Sequence, residues 1–435
     1  MNFIDYILNF LVGDQFCTAI AYSKFPIRKK LTIIQSAFFD EGMYGTGATL
    51  PKTPLPLLPD TDIPFLFGTP KLDYTEDGCI ILYADLVASS YFLLSRYEEI
   101  IKPNCRDQYG RFRAKDSVVF QQGYGMRPLV DEWSRYLRGL LRQAGVDVPN
   151  EKQGFNKIYL THDVDEPFRY YHWYSIPIQL LKKFLHRGEH LSFSIKSAVT
   201  GLGDPYYTFG RIIGYDNELK ENCPKNIVQS VYFIIAAGSF FTRCYCNITL
   251  AKFCWMLREL RSSGAKLGLH VSYEAGENPS KIAREVKRFS TVCNTQKLYS
   301  RHHFLRWCEP EDIDFMELSG ITDDFTLGYP DCIGFRCGTG RPYKFINPKT
   351  KQITDVTVHP MQIMECTLDR KNYMGLDYES AFEACKKLID ETYKYNGELN
   401  MLWHNTSFIS VFYHERLYVS LLEYISRLVR LDTFV

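Results

Sequence analysis

From residue 155 onward the chain alternates short apolar runs with longer amphipathic stretches, and this alternation constrains its fold more than any other feature. The apolar runs have the length of strands buried on both faces, and the stretches between them carry apolar residues at helical spacing. The pattern predicts strands over 157–160, 230–236, 265–269, 297–300, 333–335, 354–358 and 399–403. Helices are predicted over 249–262, 279–292, 310–318 and 379–395. Repeated βα units of this kind place the chain in the α/β class, with a mainly parallel sheet or barrel.

The preceding third reads differently. Pro51, Pro54, Pro56, Pro59 and Pro64 forbid a helix and favour an extended or turn-rich crossing. A short strand is predicted over 79–84, followed by a helix capped by Asp85 and running through Ile100, and a second helix over 129–144. Ser95, Arg96, Glu98 and Glu99 are expected to form a charged helix face. Residues 146–154 are polar and contain Pro and Gly, which sets the expected boundary between a smaller α+β domain, 1–150, and a larger one, 151–435.

Composition narrows the function. The 51 Lys+Arg nearly cancel the 50 Asp+Glu, so no long-range field draws in nucleic acid, and no nucleic-acid partner is expected. No apolar run is long enough to span a bilayer and the N-terminus lacks the marks of a secretory signal, so stable membrane insertion is not expected. Thirteen cysteines are an odd count without the spacing of a disulfide scaffold, which favours a reducing, cytoplasmic setting. The pairs Cys244/Cys246 and Cys332/Cys337 do not make the CxxC couples of a structural zinc site. Aromatic residues make up 15% of the chain, and flat rings suit both cores and sugar platforms.

The chemistry-bearing residues sit where the predicted strands end. Asp163 and Asp165 are two apart, so in extended backbone they point to the same side, while His162 points away. If one carboxylate binds a divalent cation, the other stays free to accept a proton; a solvated loop or a helix cap explains such a pair equally well. His270 closes the strand LGLH, and an imidazole there is a competent metal ligand, with Glu274 one helical turn further on. Arg301 and His303 share a face at the end of the next strand and offer a cation and a further imidazole. His404 follows the last strand and can serve as a general acid. For His270 and His404 a buried structural role is the commoner alternative, and for Arg301 to His303 it is a basic strand end in solvent.

In this order, the motifs resemble those of the polysaccharide deacetylase family of carbohydrate esterases. Residues 161–165 resemble its aspartate motif, SVYFIIA its second strand, GLHVSYE its histidine motif and LWHN its closing motif. The resemblance covers residues 155 to about 410 and implies a distorted (β/α) barrel. It also implies a hydrolase that takes an acetyl group from an N- or O-acetylated sugar with a divalent metal ion, zinc before others. Asp163 would be the base, Asp165 and His270 metal ligands, and His404 the acid, with Arg301 or Arg336 stabilising the oxyanion. Where the family has its second histidine this chain has Glu274, so the third ligand is either Glu274 or His303, with His303 preferred, or the site is degenerate. The segments Gly334–Thr339 and Arg341–Tyr343, with Asp323 and Asp324, resemble a bacterial subgroup linked to surface polysaccharide biosynthesis. ADLVASSYFLLSRYEE, Arg106–Phe112 and Pro128–Trp133 resemble the uncharacterised domain that precedes it. A glycan-binding protein without catalysis and an amidohydrolase of a small non-sugar amide are the alternative functions. Tyr273, Phe304, Trp307, Tyr343 and Trp403 are the rings expected to line a sugar groove.

Overall fold

A computed structural model of the chain describes residues 1–169, 203–237, 251–293, 297–409 and 413–432. The described strands form two sheets. β1 (Ile20–Ser23), β2 (Leu31–Ile34), β3 (Gly68–Tyr74) and β4 (Ile80–Ala84) run in the order β1-β2-β4-β3, with β3 antiparallel to its neighbour and the other pairs parallel. Asp85 caps the helix after β4 by accepting from the Ala88 N–H at 2.9 Å. The helix expected to run through Ile100 breaks after Leu94, because Arg96 takes a left-handed conformation, and resumes over Tyr97–Ile101.

The second sheet holds β5 (Lys157–Val164), β6 (Val228–Ile235), β7 (Lys266–Val271), β8 (Tyr299–His302), β9 (Asp323–Asp324), β10 (Tyr343–Ile346), β11 (Ile353–Val358), β12 (Ile363–Met364) and β13 (Glu398–Leu402). Their order is β10-β11-β9-β8-β7-β6-β5-β13-β12, and only β10 is antiparallel. Helices Phe209–Asn222, Ala251–Ser262, Ile282–Val292, Tyr378–Lys394 and His414–Asp432 accompany these strands. The predicted strand 333–335 does not form: the Gly334 N–H donates to the Gln362 carbonyl and the Phe335 N–H to that of Gly125, in irregular backbone. Residues 249 and 250, and Cys244 and Cys246, lie outside the described residues.

The sheet is strongly curled. His359, just after β11, is 3.1 Å from Asp323 in β9 and 2.7 Å from Glu398 in β13, five places away in the order. In a flat sheet those strands would lie about 24 Å apart at about 4.8 Å per step. The concave side is filled by Tyr159, Val231, Phe233 and Phe325, with the His359 ring stacked on Phe325 at 4.4 Å. The end strands β10 and β12 do not pair, so the result is an open half-barrel and not a closed ring.

The two sheets share one continuous hydrophobic cluster, which reaches from Leu8 and Trp133 through Val130 and Leu93 to Phe335 and Trp403. Arg336 is part of the seam between the two sheets and not of a catalytic site. It is buried, places both Nη2 contacts on Glu99 at 2.8 and 2.9 Å, and donates Nη1 to the Gly328 carbonyl. The charged face expected at Ser95–Glu99 is likewise buried: Arg96 pairs with Glu99 at 2.8 Å and Glu98 with Lys102 at 2.6 Å. Burial disfavours the Glu99 charge, yet Arg336, Arg96 and Arg106 together hold its carboxyl below the usual range. Gly334 and Gly338 let the backbones close: a Cβ on Gly334 would meet the Gly125 oxygen at 2.6 Å, and one on Gly338 would meet Leu93 at 2.6 Å.

Candidate functional site at the strand ends

Parallel strands carry their C-terminal ends to one edge, where polar residues that follow each strand converge. Here β5 delivers Asp163 and Asp165, β7 His270, β8 Arg301 and His303, β12 Glu365 and β13 His404. The register explains the convergence, since His270 lies opposite Arg301 in the β7–β8 ladder. His162 points to the other face, with its ring 3.3 Å from Asp216 on helix Phe209–Asn222. His302 also faces away, toward Thr326, and burial followed by the nearby His270 pushes it down to about 3, so it stays neutral.

Asp165, His270 and His303 offer ligand atoms that all lie within 4.8 Å of one another. His270 Nε2 is 3.1 Å and His303 Nε2 3.5 Å from Asp165 Oδ1. The His270 Nδ1 is 2.9 Å from the Arg301 carbonyl, a bond in which Nδ1–H donates, and that tautomer turns the Nε2 lone pair toward Asp165. His270 Nε2 and Asp165 Oδ1 are both buried without a hydrogen-bond partner. Two unsatisfied acceptors at that separation require a cation between them, either a proton or a metal ion. One carboxylate and two imidazoles are a donor set that could hold a divalent metal ion. Burial works against the Asp165 charge, but His303 and His270 hold its carboxyl well below the usual range. Glu274 is turned away: its carboxylate is partly exposed, 3.7 Å from Lys281. His303, and not Glu274, therefore completes the group.

Asp163 is buried beside this cluster, with Oδ2 3.5 Å from His270 Nε2. Arg301 donates to its Oδ1 at 2.9 Å, to the Thr161 hydroxyl at 2.8 Å and to the Phe325 carbonyl at 3.0 Å, and lies over the Phe233 ring. Those bonds leave Arg301 fully buried under Asp163, where it fixes that carboxylate; the expected role at an oxyanion does not match its position. His404 borders the cleft, with Nε2 3.7 Å from Asp165 and Nδ1 2.7 Å from Glu365. Burial alone would lower its pKa, and the Glu365 carboxylate, joined by Asp165 and Asp163, instead pushes it up to about 10. The same pairing, supported by Ser407, outweighs burial to bring Glu365 down to about 2.

These groups open on a cavity of about 220 Å³. Its walls include Tyr109 and Arg111, from the region of the first sheet, as well as Phe304 and Tyr373. Phe304 and Leu305, directly after His303, have φ of 61° and 53°. For residues with a Cβ this costs on the order of 1–3 kcal/mol each, so the turn persists only where its surroundings hold it.

Residues 5–145 match a family described only as a family of unknown function, DUF7033. No curated protein matches the chain. Among solved structures, the chain is similar to one described as "putative polysaccharide deacetylase from Mycobacterium smegmatis", at 14% identity and a TM-score of 0.40, over 66% of this chain and 87% of that one.

Sequence reasoning missed Glu365, Tyr109 and Arg111. Glu365 follows a strand of only two residues, too short to leave a pattern. Of the rings expected in the groove, Phe304 lines it, whereas Trp307, Tyr343 and Trp403 are buried in the core. Tyr273 packs edge-on against Phe304 under the Arg306 guanidinium.

Proposed function

We propose that the chain is a hydrolase that removes an acetyl group from an N- or O-acetylated sugar, with a divalent cation, zinc before others, held by Asp165, His270 and His303. The observation that carries this reading is the pair of buried, unpartnered acceptors on His270 and Asp165, with the His303 ring closing the group. When bound, such a cation polarises the acyl carbonyl and lowers the pKa of water.

The chain's own groups divide the proton transfers. Asp163 accepts the proton of the attacking water through the oxygen that Arg301 leaves free, and Arg301 keeps that carboxylate aimed. His404 enters protonated, because Glu365 holds its charge, and gives a proton from Nε2 to the departing amine or alkoxide. The acyl–nitrogen or acyl–oxygen bond breaks, a carbon–oxygen bond to the water forms, and acetate leaves. The cleft between Tyr109, Phe304 and Tyr373 supplies aromatic walls suited to a sugar ring.

The test is acetate release from N-acetylglucosamine oligomers and O-acetylated xylan by the zinc-loaded full chain. Activity lost to EDTA and restored by zinc is expected. Asp163→Asn should lower kcat by about 10²-fold or more while metal content is retained. Release that is unaffected by EDTA or by Asp163→Asn rejects the mechanism, and glycan binding without any release favours a binding protein.

A further inference from the structure

The segment Arg106–Phe112, which resembles part of an uncharacterised domain, reaches the strand-end cleft. Asp107 organises it as a tight turn: Oδ1 accepts from the Tyr109 and Arg111 N–H groups at 2.8 and 2.9 Å, and Oδ2 accepts from Arg111 Nε at 2.8 Å. Gly110, at φ 77°, passes against Cys308, where a Cβ would come within 3.0 Å of the sulfur. The turn is fastened to the β8 connection at three points. Arg306 Nε donates to the Tyr109 carbonyl at 2.8 Å, Arg106 Nη2 to the Cys308 carbonyl at 3.2 Å, and Arg111 Nη1 to the Phe304 carbonyl at 3.0 Å. Arg111 is buried, and its remaining Nη2 donates to the Tyr373 hydroxyl at 3.1 Å.

The Phe304 carbonyl belongs to the left-handed turn that follows His303, so its direction and that of the His303 ring are coupled through one peptide. The Arg111 guanidinium is planar and uses three donors at once, on Asp107, Phe304 and Tyr373, which fixes the turn from outside β8. We propose that Arg111 is a positioning residue for the metal site: it holds the His303–Leu305 turn in the strained conformation that aims the His303 imidazole at Asp165 and His270. The N-terminal region is then a working part of the cleft and not a separate module. This rests on the metal-site reading above, and the two are tested separately.

The experiment compares the wild-type full chain with Arg111→Met and Arg111→Lys by zinc titration and by crystal structure. Arg111→Met should weaken zinc binding by about 10- to 100-fold, in line with the loss of a group that orients a ligand, and Arg111→Lys should recover only part of it. In the crystal, Phe304 and Leu305 of Arg111→Met should leave the left-handed region and the His303 ring should turn away from Asp165. An unchanged turn with unchanged zinc affinity overturns the proposal. If Arg111→Met does not fold, Arg111→Lys, which keeps the charge and loses the fork, decides by the same two measurements. A wild-type chain that binds no zinc rejects the metal-site reading, while the crystal structure of the variant still decides whether Arg111 holds the turn.

Discussion

At the scale of single residues, the proposed chemistry depends on groups that fix other groups. His404 is placed and charged by Glu365, whose Oε1 also accepts from the His404 backbone N–H at 3.0 Å and the Ser407 hydroxyl at 2.6 Å. Glu365→Gln keeps an acceptor but removes the charge, and kcat for acetate release should fall by about 10- to 100-fold with little change in KM. An unchanged kcat would remove Glu365 from the mechanism. Asp163, Asp165, His270, His303 and His404 were legible in the sequence because each stands at or just past an apolar run. The place of Arg336 is not visible in the sequence, for a reason that applies to any arginine: sequence shows that donors exist and not that Glu99 and the Gly328 carbonyl already take them. Arg301 stands at a strand end as its position in the sequence predicts, but its hydrogen-bond partners Thr161, Asp163 and Phe325 come from β5 and from the residue after β9, two other strand regions with no local signature.

At the scale of elements, the irregular stretch 333–342 matters more than its lack of secondary structure suggests. It joins the regions of the two sheets through Arg336 to Glu99, Arg341 to Asp131 at 2.7 Å, and the Val130 N–H to the Gly338 carbonyl at 2.8 Å. Arg336→Met leaves Glu99 buried with Arg96 as its remaining close partner, and breaking a buried pair this way costs about 3–5 kcal/mol. Denaturant unfolding should show that loss, while kcat of the folded fraction stays near the wild-type value because Arg336 does not line the cleft. A loss under about 1 kcal/mol would mean that the seam tolerates the change. Six of the seven strands flagged by apolar runs after residue 155 formed, all but 333–335, and some are longer than the runs themselves: β5 extends to Val164 and β7 to Val271. β9 and β12, with two residues each, left no periodic trace, and 333–335 is apolar because it packs in the seam and not because it pairs in a sheet.

For the whole molecule, the curl of the large sheet is what gathers the site, and His359 marks it from inside. Burial would lower the His359 pKa, but hydrogen bonds to Asp323 and Glu398 raise it from 6.5 to about 9, so it is charged in the folded chain at neutral pH. Its contribution to stability is full below about pH 6.5 and is lost as the pH rises through about 9. Asp323, held below its ordinary value by His359 and Thr322 despite burial, acts in the opposite sense, and its contribution is lost as the pH falls through its lowered value. Thermal unfolding between pH 6.5 and 9.5 should therefore show a falling Tm in the wild-type chain and a flatter, lower profile in His359→Gln; a flat wild-type profile would contradict the bridge. The sequence by itself determined the α/β class, the parallel order of exposure at strand ends and most of the residues placed there, because periodicity and strand direction are local properties of the chain. Only the tertiary structure decided that His303 and not Glu274 joins Asp165 and His270, that Arg336 belongs to a seam, and that Arg111 reaches Phe304 across 193 residues of sequence. Each of those outcomes depends on how far the sheet curls and where distant segments return against it, which no local pattern encodes.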